Sequence, residues 1–145
     1  MTANSLQLDK LTHEKIQKLC AAGDELAGAK QYSEAVVEYA KAWLFVPDPK
    51  NEWEAATWIL AALADVYFLA GQNVSAREAL GLAMTCPGAI GNPFIHMRYG
   101  QVLYDAGELD AAADELMRAY MGAGSDIFVT EDPRYLVFLK TRAKL

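Results

Sequence analysis

Gly100–Gly124 reads GQVLYDAGELDAAADELMRAYMGAG, and two other stretches align with it without a gap. They are Gly23–Pro47, GDELAGAKQYSEAVVEYAKAWLFVP, and Ala64–Gly88, ADVYFLAGQNVSAREALGLAMTCPG. Gly23, Ala64 and Gly100 fall in register, followed by Ala35, Ala76 and Ala112, then Tyr39, Leu80 and Leu116, then Ala42, Ala83 and Ala119. Antiparallel helices approach closely only where small side chains meet. The Gly or Ala of a first helix and the first Ala of a second helix therefore mark a crossing. The large residue four positions on fills the space beside it, and the last Ala admits the next hairpin. Gly71 and Gly107 stand between the paired helices, where a helix C-terminus calls for positive φ. Lys30 takes that place in the first copy.

Outward from the repeats, the 145-residue chain is 53 % hydrophobic and rich in good helix formers. Its prolines, Pro47, Pro49, Pro87, Pro93 and Pro133, all lie in or beside the connections between helical patterns. No alternating, β-branched run suggests a strand. The spacing predicts helices near residues 12–29, 32–46, 52–70, 74–85, 94–106 and 109–121, with Thr12 capping the first. A loop then leads to Glu131-Asp132-Pro133, a helix start. The last helix, over about 133–144, would cover the end of the stack with Tyr135, Leu136, Phe138 and Leu139. The fold class is thus all-α: a right-handed helical-hairpin solenoid of three repeats (about 16–49, 57–90 and 93–126) with a C-terminal capping helix. The whole of 1–145 reads as a single domain.

The order of small, aromatic or large, Gly, Ala, large, Ala and Pro resembles the tetratricopeptide repeat. Tyr67 holds the aromatic place of the first helix, with Leu26 and Leu103 elsewhere. Pro47 matches the closing proline, whereas Pro87 lies one residue early and Gly124 replaces it in the third copy. The Trp common early in the repeat is replaced by Leu19, Leu60 and His96, and two of the periods, 41 and 36 residues, exceed the usual 34. The resemblance implies a protein-binding module whose inner face is lined by the first helix of each repeat. Carried over by position, that face comprises Gln17, Cys20, Asp24 and Ala27, then Trp58, Ala61, Asp65, Phe68 and Leu69, then Phe94, Met97, Gln101, Tyr104 and Asp105. The partner-binding set drawn from it is Asp24, Trp58, Asp65, Phe68, Phe94, Met97, Gln101, Tyr104 and Asp105. Aromatic side chains there would supply contact energy and carboxylates would select Lys or Arg. Large apolar members are equally expected to belong to the core. Co-chaperones of this family grip a carboxylate with Lys, Asn and Arg. Here Cys20, Asp24 and Ala62 stand at those places and only Arg98 matches, so an acidic chain terminus is an unsuitable ligand.

Charge and motif content narrow the function classes. The net charge is −6, and residues 51–132 hold twelve acids against Arg77, Arg98 and Arg118. The last thirteen residues hold Arg134, Lys140, Arg142 and Lys144 and no acid. An acidic body repels phosphate backbones, so nucleic acid is not an expected partner, and a protein with a basic surface is. The run Ala55–Gly71 is short for a membrane span and carries Asp65 at mid-length, so no membrane association is expected. Cys20 and Cys86 form no metal-ligand or disulfide pattern, and the N-terminus has no secretory pattern; a cytoplasmic setting follows. No nucleophile motif, zinc-binding pair or phosphate loop occurs. His96 reads as a packed or half-exposed side chain and Asp114/Glu115 as a solvated pair. The expectation is a protein that is not an enzyme and takes no cofactor or metal. Asn92–His96 and Glu131–Leu136 resemble, in addition, stand-alone bacterial repeat proteins that act as immunity factors beside polymorphic toxins. A secretion chaperone of the type III translocator class, a non-catalytic scaffold subunit and self-association through Trp53, Trp58 or the last helix are the alternatives.

Overall fold

The computed structural model describes residues 8–145. Among them are seven α-helices and no strand. They group into two compact units, one ending at Ala89 and one spanning Ile90–Leu145. The first holds α1 (Lys10–Gly28), α2 (Tyr32–Leu44), α3 (Glu54–Leu69) and α4 (Asn73–Ala83). The second holds α5 (Pro93–Asp105), α6 (Leu109–Ala123) and α7 (Pro133–Arg142). Helices α1 and α2, α3 and α4, and α5 and α6 pair as hairpins.

Each hairpin turns by the same device. The Gln31 N–H donates to the Leu26 carbonyl at 2.9 Å while the Lys30 N–H donates to that of Ala27, also at 2.9 Å. Gln72 and Gly71 repeat this on Tyr67 and Phe68, and Glu108 and Gly107 on Leu103 and Tyr104. These paired bonds satisfy helix-end carbonyls and need one left-handed residue. Gly71 and Gly107 supply it at φ 77° and 81°; Lys30 adopts it at φ 62° despite its side chain. The first turn is therefore the same turn built with a strained residue.

The crossings differ in one respect from the expected arrangement. What lies against the glycine is the large side chain rather than the alanine. A Cβ on Gly23 would sit 2.5 Å from Tyr39 Cε1, and one on Gly100 would sit 2.6 Å from Leu116 Cγ. Ala35, Ala42, Ala76, Ala83, Ala112 and Ala119 are all buried beside these contacts, as are Leu80 and Ala64. Small residues thus set the helix spacing and one large residue fills it.

Caps and connections complete the frame. Asp9, not Thr12, caps α1: its carboxylate accepts the Thr12 N–H and hydroxyl, each at 2.9 Å. The long connection after α2 is closed by Lys50, whose ammonium donates to the Trp43 and Val46 carbonyls at 3.0 and 2.6 Å. The Thr57 hydroxyl donates to the Pro87 carbonyl at 2.6 Å, holding the end of the first unit to α3. Asn92 caps α5 through the Ile95 N–H, with Pro93 in the first turn. The segment after α6, expected as plain loop, contains a 3-10 turn over Gly124–Phe128 that buries Phe128. Asp132 caps α7, and Tyr135 and Leu139 are buried while Leu136 and Phe138 are half-buried, in keeping with a covering helix.

Candidate functional site

In the first unit the expected ligand face is built on α1 and α3. Because Gly23 has no side chain, the Tyr39 ring crosses α1 there, and its hydroxyl reaches Asp24, donating at 2.6 Å. Burial first, and then the Asp24 carboxylate, raise the Tyr39 ionisation well above the ordinary tyrosine value; Asp65 adds to the same effect. Asp24 of α1 thus holds the phenol directly, and the charge of Asp65 on α3 acts on it in the same sense. Cys20, one turn before Asp24, is pushed up to about 11 by burial and by Asp24, which leaves it a protonated thiol at neutral pH. Trp58 opens α3 with 39 % of its surface exposed, and His13 of α1 lies edge-on to it, ring centroids 5.6 Å apart. Phe68 and Asp65 are half-buried on the same helix. His13, absent from the sequence-based set, joins it through Trp58.

The second unit treats its share of the set differently. Phe94 is half-buried with the Arg98 guanidinium 5.1 Å above its ring. Met97 and Gln101, expected on an open face, are enclosed at 2 % and 0 % exposure. For Gln101 the cause is the segment after α6. Arg98 donates to Gln101 Oε1 and to Glu131 Oε1, both at 2.7 Å, and Gln101 Nε2 donates to Glu131 Oε1 at 2.9 Å. Burial alone would raise the Glu131 carboxyl, but the Gln101 donor and the Arg98 charge outweigh it and hold it below its ordinary value. Tyr104 stands edge-on to Tyr135 at 5.5 Å and tilted against Phe138 at 4.9 Å. Asp105 accepts the Tyr135 hydroxyl at 2.9 Å and pairs with Arg134 at 3.1 Å. The Tyr135 phenol is pushed up to about 12, by burial first and then by Asp105 against the opposing Arg134.

Two further polar residues have roles that residue type did not reveal. Glu115, expected in solvent, meets buried His96 Nδ1 at 2.6 Å. The Gly91 N–H donates to His96 Nε2 at 2.8 Å, so Nδ1 carries the proton and donates to Glu115. This pair fixes the entry to α5. Asp114, in contrast, is solvated and pairs with Arg118 on its own helix. Among the described residues no group of three or more His, Cys, Asp and Glu is placed to hold a metal ion. Nor is any described helix long and apolar enough to cross a membrane.

The architecture is that of solved tetratricopeptide-repeat domains. The Yersinia enterocolitica type III secretion chaperone SycD, in complex with a peptide of the translocator YopD, is similar over 92 % of this chain and 95 % of its own, with a TM-score of 0.70 at 15 % identity. The first repeat domain of Spaghetti (RPAP3), bound to the HSP90 peptide SRMEEVD, matches 88 % of this chain and 92 % of its own, with a TM-score of 0.67 at 18 % identity. The Sgt2 domain from Aspergillus fumigatus matches 97 % of this chain and 81 % of its own, with a TM-score of 0.65 at 19 % identity. No protein-family model and no curated protein sequence matches the chain.

Proposed function

We propose, from this tetratricopeptide-repeat fold, that the chain is a protein-binding module that sequesters a dedicated protein partner and performs no catalysis itself. The observation that carries the reading is the α1–α3 face: an exposed Trp58 backed by His13, with Asp24 holding the Tyr39 hydroxyl and Asp65 half-buried on the same helix as Trp58. An aromatic side chain that keeps its area open to solvent is well suited to a partner's apolar residue. The carboxylates add selectivity for Lys or Arg and suppress acidic ligands. A peptide such as the acidic SRMEEVD of the Spaghetti complex would meet Asp24 and Asp65, and the one cation at a matching place, Arg98, is already bound to Glu131. A bacterial immunity protein covering a basic toxin surface fits this chemistry.

Affinity capture from the native host, comparing the wild type with Trp58→Ala/Asp65→Asn, tests the reading. A partner held by the wild type, released by added salt and lost from a variant of unchanged helicity supports it. Equal retention by the variant contradicts it. The alternative, a secretion chaperone holding an extended segment, is favoured by the likeness to SycD with its YopD peptide. The two separate on the partner's side: a short peptide of the partner keeps its affinity for a chaperone and loses it for an immunity protein.

A further inference from the structure

Three of the five α5 side chains expected on the ligand face are already engaged by the chain's own C-terminal segment. Gln101 is held by Glu131, Tyr104 by Tyr135 and Phe138, and Asp105 by Tyr135 and Arg134. A fourth contact follows the same chemistry, Arg142 pairing with Asp110 at 2.8 Å. The segment that makes these contacts from residue 133 onward carries Arg134, Lys140, Arg142 and Lys144 without an acid. The hairpin beneath it meets these bases with Asp105 and Asp110. A basic, aromatic helix thus lies on an acidic, aromatic face within one unit.

We propose that Pro133–Arg142 is a built-in competitor for the third hairpin, and that the partner segment reaching Tyr104 and Asp105 is a basic, aromatic polypeptide that takes the place of Arg134, Tyr135 and Phe138. This deepens, and rests on, the reading of the first-helix faces as ligand-bearing. The polar contacts of α7 are weak, because Arg134 and Arg142 are largely solvated and such pairs contribute little, whereas Glu131 ahead of it stays bound to buried Arg98 and Gln101. Helix α7 has only ten residues, too few to persist without packing. Its outer flank is not closed: a cleft of about 320 Å³ opens beside it, lined by Phe128, Val129, Pro133, Leu136 and Val137 with Lys140. The contacts that remain, Tyr135, Phe138 and Leu139, are few enough for an intermolecular helix to replace. Tethering gives the native segment an effective concentration in the millimolar range, which a free segment must overcome.

The probe is a synthetic peptide of residues 131–145, titrated by fluorescence anisotropy onto the full-length protein. Wild type is expected to bind it weakly, and Arg134→Ala/Arg142→Ala to bind it about threefold more tightly as the tether competes less. Adding Asp105→Asn to that variant is expected to cancel the gain. Equal affinity of the first two proteins, or a gain that survives Asp105→Asn, overturns the proposal. Hydrogen exchange on the wild type provides a check that needs no variant. Amides of α7 are expected to exchange faster than those of α5 and α6, through an opening of their own. Exchange of α7 only by global unfolding makes it a fixed cap and overturns the proposal. Neither readout involves Trp58 or Asp65, so this proposal and the partner-binding reading fail separately.

Discussion

Replacing Gly100 by Ala should destabilise the protein, whereas the same change at Gly28 should stabilise it. In a helix interior, Gly→Ala gains about 1 kcal/mol from the restricted unfolded chain and the better propensity. At Gly28 nothing lies within 4 Å of the added Cβ, so the gain is kept, reduced somewhat by the position at the helix end. At Gly100 the Cβ would lie 2.6 and 2.7 Å from Leu116 Cγ and Cδ2, and 3.0 Å from the Leu116 backbone nitrogen. Carbon contacts settle at about 3.5–4.0 Å, so the overlap approaches 1 Å. A rotamer change can move the leucine carbons but not the backbone nitrogen, and α6 must shift. Overpacking that moves backbone falls in the upper part of the usual range, about 2–3 kcal/mol, which exceeds the propensity gain and leaves a net loss of about 1–2 kcal/mol. For a chain of this size each kcal/mol moves the midpoint by about 3 °C. Thermal unfolding followed by far-ultraviolet circular dichroism should therefore place G28A above wild type and G100A several degrees below. The double variant G100A/L116V should recover part of the loss, since neighbours couple. If G100A matched or exceeded wild type, the claim that small residues set the hairpin spacing would be refuted.

Other consequences are read on the same assay. Lys30→Gly should stabilise by about 1 kcal/mol, because it relieves a non-glycine residue at φ 62°; Gly107→Ala, at φ 81°, should cost a similar amount. Glu131→Gln should cost about 2 kcal/mol at pH 7 by weakening the hold on buried Arg98. Glu131 is depressed in the folded state, so its contribution is complete above the ordinary carboxylate value near 4.5 and is lost as pH falls through the lower folded-state value. The gap between wild type and E131Q should narrow over that acidic range; a gap constant with pH would show that the ion pair is not its source. His96→Leu should cost about 2–3 kcal/mol, because Glu115 and the Gly91 N–H both lose their partner, and retained stability would contradict that pairing.

The repeat was legible because it depends on local rules: a small residue at each crossing, a left-handed position at each turn and proline only outside helices. Lys30 kept its turn because paired backbone bonds at Leu26 and Ala27 hold the conformation, and a strained side chain does not forbid it. Asp9 was passed over as a cap because Thr12 is also a good capping residue and only geometry separates them. The candidate site was legible by halves. That Asp24 lies on α1 and Trp58 and Asp65 on α3 follows from register alone. The enclosure of Gln101 could not, since it depends on Glu131 returning from thirty residues away to share its oxygen with Arg98. Glu115 likewise looked solvated from its own helix, and its partner His96 lies on another. Periodicity reports which face a residue occupies, not which distant segment folds onto it.

The central claim is that the first-helix face around Trp58 receives a protein partner. A photo-crosslinking amino acid placed at position 58, with Val74 on exposed α4 as the control position, tests it inside the native host. The account predicts one discrete protein adduct from position 58, diminished when Asp24 and Asp65 are both changed to Asn, and none from position 74. Adducts formed equally from both positions, or only from 74, would contradict it.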